Sequence, residues 1–157
     1  MDYPVAFVAY GLPGPQGSKS PKGRRRNGSV ILVESSRKVK PWRAAVVAAA
    51  ADHLPAVPLD GPLIADMVFT MPRPRSHYGT GRNEGVLKAR YASARPYRVP
   101  DLSKLCRATE DALTTAGVWA DDARVVAYGR LEKVYVLDPA DPDALAAPGA
   151  VIRVREV

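Results

Sequence analysis

Between Arg98 and Val126, five of the sixteen carboxylates of an otherwise basic chain crowd together: Asp101, Glu110, Asp111, Asp121 and Asp122. Oxygen donors without histidine or cysteine partners select a hard cation, Mg²⁺ or Mn²⁺ rather than zinc. Carboxylates placed close together repel one another unless a cation lies between them, which is itself a reason to read the group as a metal site. The plainer alternative makes Asp101 a helix N-cap and Asp121-Asp122 turn residues, each common alone.

The elements that must position these groups can be read around them. Proline pushes the residue before it out of the helical region, so Val99-Pro100 reads as an extended approach and Asp101 as the first cap of a helix. Leu102, Leu105, Thr109, Ala112, Leu113 and Ala116 recur at helical spacing, and Gly117 offers the left-handed stop. A turn through Val118 and Trp119 leads to Asp121 and Asp122, just before the apolar run Val125-Val126. The start of a helix and the start of a strand are thus both expected to present oxygen ligands.

This stretch resembles the RusA family of Holliday junction resolvases, common in bacteriophages and prophages. The family's D-L-D-N-L-x-K helix start is matched by Asp101-Leu102-Ser103-Lys104-Leu105-Cys106-Arg107, and its D-A-L-T-x-A-G-x-W helix end by Asp111-Ala112-Leu113-Thr114-Thr115-Ala116-Gly117-Val118-Trp119. The D-D-x-x-V-V strand start is matched by Asp121-Asp122-Ala123-Arg124-Val125-Val126, with no gap across the whole block. A weaker likeness to actinobacteriophage members runs through Pro13-Gly14-Pro15-Gln16-Gly17-Ser18-Lys19 and Lys40-Pro41-Trp42-Arg43. The resemblance implies metal ligation by Asp101, Asp121 and Asp122, with Arg107, standing where the family has lysine, contacting the scissile phosphate. Ser103 replaces the family's second helix aspartate, so one anionic ligand is missing. Glu110, two helical turns along from Ser103, either compensates or only pairs with Arg107 on a solvated face.

The rest of the chain is consistent with a polyanion as partner. It has 157 residues, 46% of them hydrophobic, with a formal net charge of +7 and a pI near 9.8. Such a length suits one small domain over residues 1–157, of α/β (α+β) class, with a mixed β-sheet against two main helices. Strands are expected at 4–10, 29–33, 63–71, 124–137 and 151–156, and a first helix from Lys40 to about Leu54 with Trp42, Val46, Ala49 and Ala50 inward. In the third strand, Ile64, Met67 or Val68, and Phe69 compete for the core.

Two basic loops stand out, at about 11–28 and 72–99. The first carries Lys19, Lys22, Arg24, Arg25 and Arg26; the second carries Arg73, Arg75 and further cations up to Arg98 among Tyr78, Tyr91 and Tyr97. Cations interleaved with tyrosines suit phosphate contact and stacking on unpaired bases; the alternative is a solvated insertion with incidental charge. Lys19, Arg24, Arg25, Arg26, Arg73, Arg75 and Lys104 are the expected DNA contacts. The single cysteine, Cys106, allows no disulfide framework and has little support as a nucleophile, while His53 and His77 read as surface or helix-end residues. No signal peptide or membrane-spanning run is visible, so a cytoplasmic location is expected, that of the bacterial host if phage-encoded.

The expectation is a Mg²⁺-dependent endodeoxyribonuclease, with Mn²⁺ as possible substitute, acting on branched DNA as a homodimer, since two nicks related by a two-fold axis need two sites. The alternative is a non-catalytic branched-DNA-binding relative that lost metal affinity through Ser103.

Overall fold

Alternation begins at the first strand. In β1, Val5–Tyr10, Val5, Phe7 and Ala9 point inward and their neighbours outward. The computed structural model describes residues 2–17, 19–28, 30–34 and 37–157, with residues 19–22 and 30–34 described through their backbone alone. β2, Lys19–Arg24, and β3, Val30–Glu34, form a separate antiparallel hairpin with a register shift between Pro21 and Arg24. Part of the segment read as a loop is therefore a strand. Pro21 and Gly23 hid it, since both residues are depleted in regular strands.

Helix α1, Val39–Ala50, is followed by a single 3₁₀ turn to His53. Its inward face is Val39, Trp42, Val46 and Ala50, with Ala49 only partly covered. β4 runs Leu63–Met71, α2 Leu102–Ala116, β5 Val125–Tyr135 and β6 Gly149–Glu156. The main sheet is mixed, in the order β1-β6-β4-β5. β6 is antiparallel to both β1 and β4, while β4 and β5 are parallel. A parallel pair needs a long crossover, and the chain from Pro72 through α2 supplies it.

Both helices lie on one face of this sheet, over a core of Leu63, Ala65, Met67, Phe69 and Ile152 with Trp42, Leu105 and Leu113. The indole Nε1 of Trp42 donates to the Thr109 hydroxyl at 3.0 Å, and that hydroxyl donates to the carbonyl of Leu105 at 2.8 Å. This buried chain of bonds fixes α1 against α2. The alternation expected in β4 does not reach the surface: Asp66, Val68 and Thr70 on its other face are also buried. β4 has neighbours on both sides, and the segment before β6 covers that face, where Leu145 N–H donates to Thr70 Oγ1 at 3.0 Å.

The long basic stretch after β4 is organised by Arg73, which is only 9% exposed. Its Nε donates to the carbonyl of Val136 at 2.8 Å, and its terminal nitrogens donate to the carbonyls of Tyr91 and Ala92 and to His77 Nδ1. Arg73, expected as a DNA contact, has its Nε and both terminal nitrogens engaged inside the protein. His77, read as a surface or helix-end residue, does end the short 3₁₀ turn Arg75–His77 but is buried, stacked on Tyr91 at 4.4 Å and edge-on to Tyr135 at 5.0 Å. An Arg in a loop reads as solvated because nothing local shows the carbonyls it will meet. Among the described residues, no helix is long and apolar enough to cross a membrane.

Candidate active site

Helix α2 begins and ends where the residue types dictate. Asp101 takes the extended N-cap conformation and Gly117 the left-handed one, φ 88°, with its N–H donating to the carbonyls of Leu113 and Thr114. Yet Asp101 makes no side-chain cap bond. Its carboxylate turns to Lys104 at 3.4 Å, in an exposed pair. The approach to Asp101 is held from the sheet, where Lys133 Nζ on β5 donates to the carbonyls of Arg98 and Pro100, each at 2.9 Å. Gln16 N–H reaches the carbonyl of Lys104 at 3.0 Å, tying the first loop to the same turn.

At the other end, Trp119 anchors the turn that carries Asp121 and Asp122. It is buried, its Nε1 donates to Thr114 Oγ1 at 2.7 Å, and it bridges to Leu59. Asp121 caps a short 3₁₀ turn by accepting the Ala123 N–H at 2.8 Å. That bond, with a contribution from the Asp122 carboxyl, holds Asp121 below the usual carboxylate range. Asp122 is pushed the opposite way, first by sharing a hydrogen bond with Asp121, then by burial and by the charges of Asp121 and Asp111. The two neighbouring carboxyls are therefore shifted in opposite directions.

Glu110 joins this group from the helix. Tyr128 on β5 donates its hydroxyl to Glu110 Oε2 at 2.9 Å, and Cys106 Sγ lies 3.3 Å from the same hydroxyl. Burial raises the Glu110 carboxyl, with smaller contributions from Asp122 and Asp111. Burial also pushes the Cys106 thiol up to about 11, which leaves it un-ionised and unsuited to attack. Glu110 does not pair with Arg107, contrary to the plainer of the two readings, because β5 offers it a hydroxyl on the half-buried side of the helix.

The structure thus sets Asp121 and Asp122 near Asp111 and Glu110, past the middle of α2, and leaves Asp101 at its start. Asp101 and Glu110 are nine positions apart, about 13 Å of rise. Among the described residues, no three His, Cys, Asp or Glu side chains converge on one point that would hold a metal. Ser103 and Arg107 are exposed on α2, and Arg107 makes no ion pair among the described residues. Arg24, Arg25 and Arg26 are exposed around the tip of the β2–β3 hairpin, and Arg75 is exposed after β4. The side chains of Lys19 and Lys22 lie outside the described residues. Sequence reading missed Tyr128 and Lys133; a tyrosine and a lysine in a strand carry no local signal of the helix they will face.

The sequence matches the family described as Endodeoxyribonuclease RusA over residues 13–140. The chain belongs to the RusA endodeoxyribonuclease family. The match takes in both ends of α2, the Asp121-Asp122 turn and the Arg73-pinned segment. The chain is also 30% identical over 135 residues to the uncharacterized protein YqaN of Bacillus subtilis (strain 168), an alignment covering 86% of this chain and 90% of that protein.

Proposed function

We propose that this protein is a Mg²⁺- or Mn²⁺-dependent endodeoxyribonuclease that resolves Holliday junctions and related branched DNA as a homodimer. The observation that supports this most directly is the placement of Asp122 beside Glu110 and Asp111, nine and ten positions along the chain from Asp101. If Asp101, Asp121 and Asp122 serve one cation, they come from two copies of the chain. Two protomers laid with their α2 helices antiparallel would bring Asp101 of one to Asp121 and Asp122 of the partner subunit. Such an arrangement has two equivalent sites related by a two-fold axis, which matches the paired nicks that a four-way junction requires.

The donor chemistry fits a hard cation. The Asp122 carboxyl is pushed above its ordinary range first by a hydrogen bond shared with Asp121, then by burial and by the charges of Asp121 and Asp111, and a divalent ion bound there would offset those charges. Nucleases of the RusA family are metal-dependent. When bound, the ion supplies the charge neutralisation that in-line attack of water on phosphorus needs. The protein's own groups do the rest: the Ala123 N–H fixes Asp121, the Tyr128 hydroxyl orients Glu110, and Arg107 binds the scissile phosphate and its developing charge. Arg24, Arg25, Arg26 and Arg75 hold the DNA arms by their phosphates.

Complementation tests this arrangement. Asp101→Asn and Asp122→Asn are each expected to abolish cleavage of a synthetic four-way junction in Mg²⁺ while retaining junction binding. Heterodimers made by mixing the two inactive proteins should recover nicking of one strand, because one of their two composite sites is intact. Junction cleavage by each single variant at the wild-type rate would remove these residues from the site. Cleavage by wild type with no recovery on mixing would place each site within one chain. Tight binding without cleavage, across both metals and pH, would leave a branched-DNA-binding protein.

A further inference from the structure

Beside Asp101 the surface opens into a cavity of about 570 Å³ whose lining includes Pro100. Its walls are apolar: Leu12 from the first loop, Met71 at the end of β4, Tyr135 at the end of β5, and a set of prolines between them. Its charged lining is cationic, including Arg37, Lys38 and Arg98, and none of the described residues that line it is acidic. Arg37 and Lys38 are exposed and make no ion pair among the described residues. Apolar walls under a rim of one charge sign suit a ligand with a flat uncharged part and an attached anion. A nucleotide whose base has left the helical stack has that composition; a base inside intact duplex cannot enter.

We infer that this cavity is a subsite for one unpaired nucleotide at the DNA branch, seating the base between Leu12, Met71 and Tyr135 with its phosphates against Arg37, Lys38 and Arg98. The inference rests on the branched-DNA reading above and adds a position to it. Pro100 in the lining places the subsite one residue from Asp101, so a base held there fixes which phosphate reaches the start of α2. Arg98 and Tyr135 also line a second hollow of about 570 Å³ that includes Tyr91 and Tyr97, which gives the strand a path onward. Aromatic and apolar walls without a converging set of hydrogen-bond donors make the subsite tolerant of base identity.

The test compares the full-length protein's affinity for a short oligothymidine with that for an equally long strand carrying an abasic residue at its centre, both in EDTA. The wild type is expected to bind the complete strand about fivefold more tightly or better. Leu12→Glu, which sets a carboxylate at the mouth of the cavity, should erase that preference, and Leu12→Ala, which removes apolar wall without adding charge, should reduce it; Arg98→Ala should weaken binding of both strands alike. The Leu12 and Arg98 side chains are exposed at the surface, so all three variants should melt within a few degrees of wild type. Equal wild-type affinity for the two strands, or a preference undiminished in both Leu12 variants, overturns the subsite. Junction cleavage in Mg²⁺ is measured in parallel. Cleavage without base preference leaves the nuclease and removes the subsite; base preference without cleavage does the reverse.

Discussion

Ser103 stands exposed on the first turn of α2, a turn with no acidic side chain of its own. A carboxylate there gains from the helix dipole whatever else it does, so Ser103→Asp should stabilise the protein by about 0.5 kcal/mol. If the site beside Asp101 is one anionic ligand short, the same change should also raise junction cleavage, most visibly at low Mg²⁺. Denaturant titration and a metal-dependent rate series separate the two effects. A gain in stability with no gain in rate would show that Ser103 faces away from the metal and that the acidic donors past the middle of α2 suffice. At this scale the carboxylates themselves were legible in the sequence, because residue type and motif spacing survive any fold. Their partners were not: the hydroxyl that takes Glu110 from Arg107 comes from Tyr128, eighteen residues away.

Among the elements, β5 and the segment after β4 show where local reading stops. The register of β4 against β5 shifts between Ala65 and Met67, and Gly129 lies in that shift with the Asp66 carboxylate against it. A Cβ at Gly129 would overlap Asp66 Oδ1. Gly129→Ala should therefore displace Asp66 from the Arg130 N–H and from Arg153, and destabilise the protein by on the order of 1–3 kcal/mol. An unchanged urea midpoint would mean that the carboxylate moves at no cost. The Arg73 segment makes a prediction in pH. Arg73 can only donate, so His77 Nδ1 is the acceptor and the ring is neutral. Burial first, then the charges of Arg73 and Lys88, lower its pKa from 6.5. The unfolded chain then binds the proton more readily than the folded one, so this contribution to stability is present above pH 6.5 and is lost as pH falls through the lowered folded value. Thermal midpoints between about pH 7.5 and 5 should drop more for wild type than for His77→Phe. Equal slopes would place the pH response elsewhere. Helix α2 and strand β4 were legible to the residue because periodicity and a glycine stop are local signals. β2 was hidden by its proline and glycine, and the inward face of β4 by a second covering layer that no single strand announces.

For the whole molecule, the exposed arginines of the β2–β3 hairpin should govern affinity more than selectivity. Neutralising Arg24, Arg25 and Arg26 together should weaken binding to junction and duplex alike. It should also flatten the dependence of log K on log[salt] by about 0.9 for each phosphate that the hairpin no longer neutralises. Fluorescence anisotropy across a salt series measures this, and an unchanged slope would put the DNA path on another surface.

Behind the sheet, on the face that the helices do not cover, Arg153 grips Asp66 and, in a two-pronged contact, Asp143; Arg130 grips Asp141, Asp143 and Glu132; and Arg95 lies against Glu132 and Asp141. Three arginines among four carboxylates leave that network one charge negative, so the remainder of the chain carries one more positive charge than the net +7 of the whole. The protein is consequently an electrical vane. A long polyanion approaching from any direction exerts a torque on it before they touch, turning the exposed arginines of the hairpin forward and the sheet's back away. Encounters should then be productive more often than random collision allows, an advantage that fades once salt shortens the Debye length to a fraction of the protein's width.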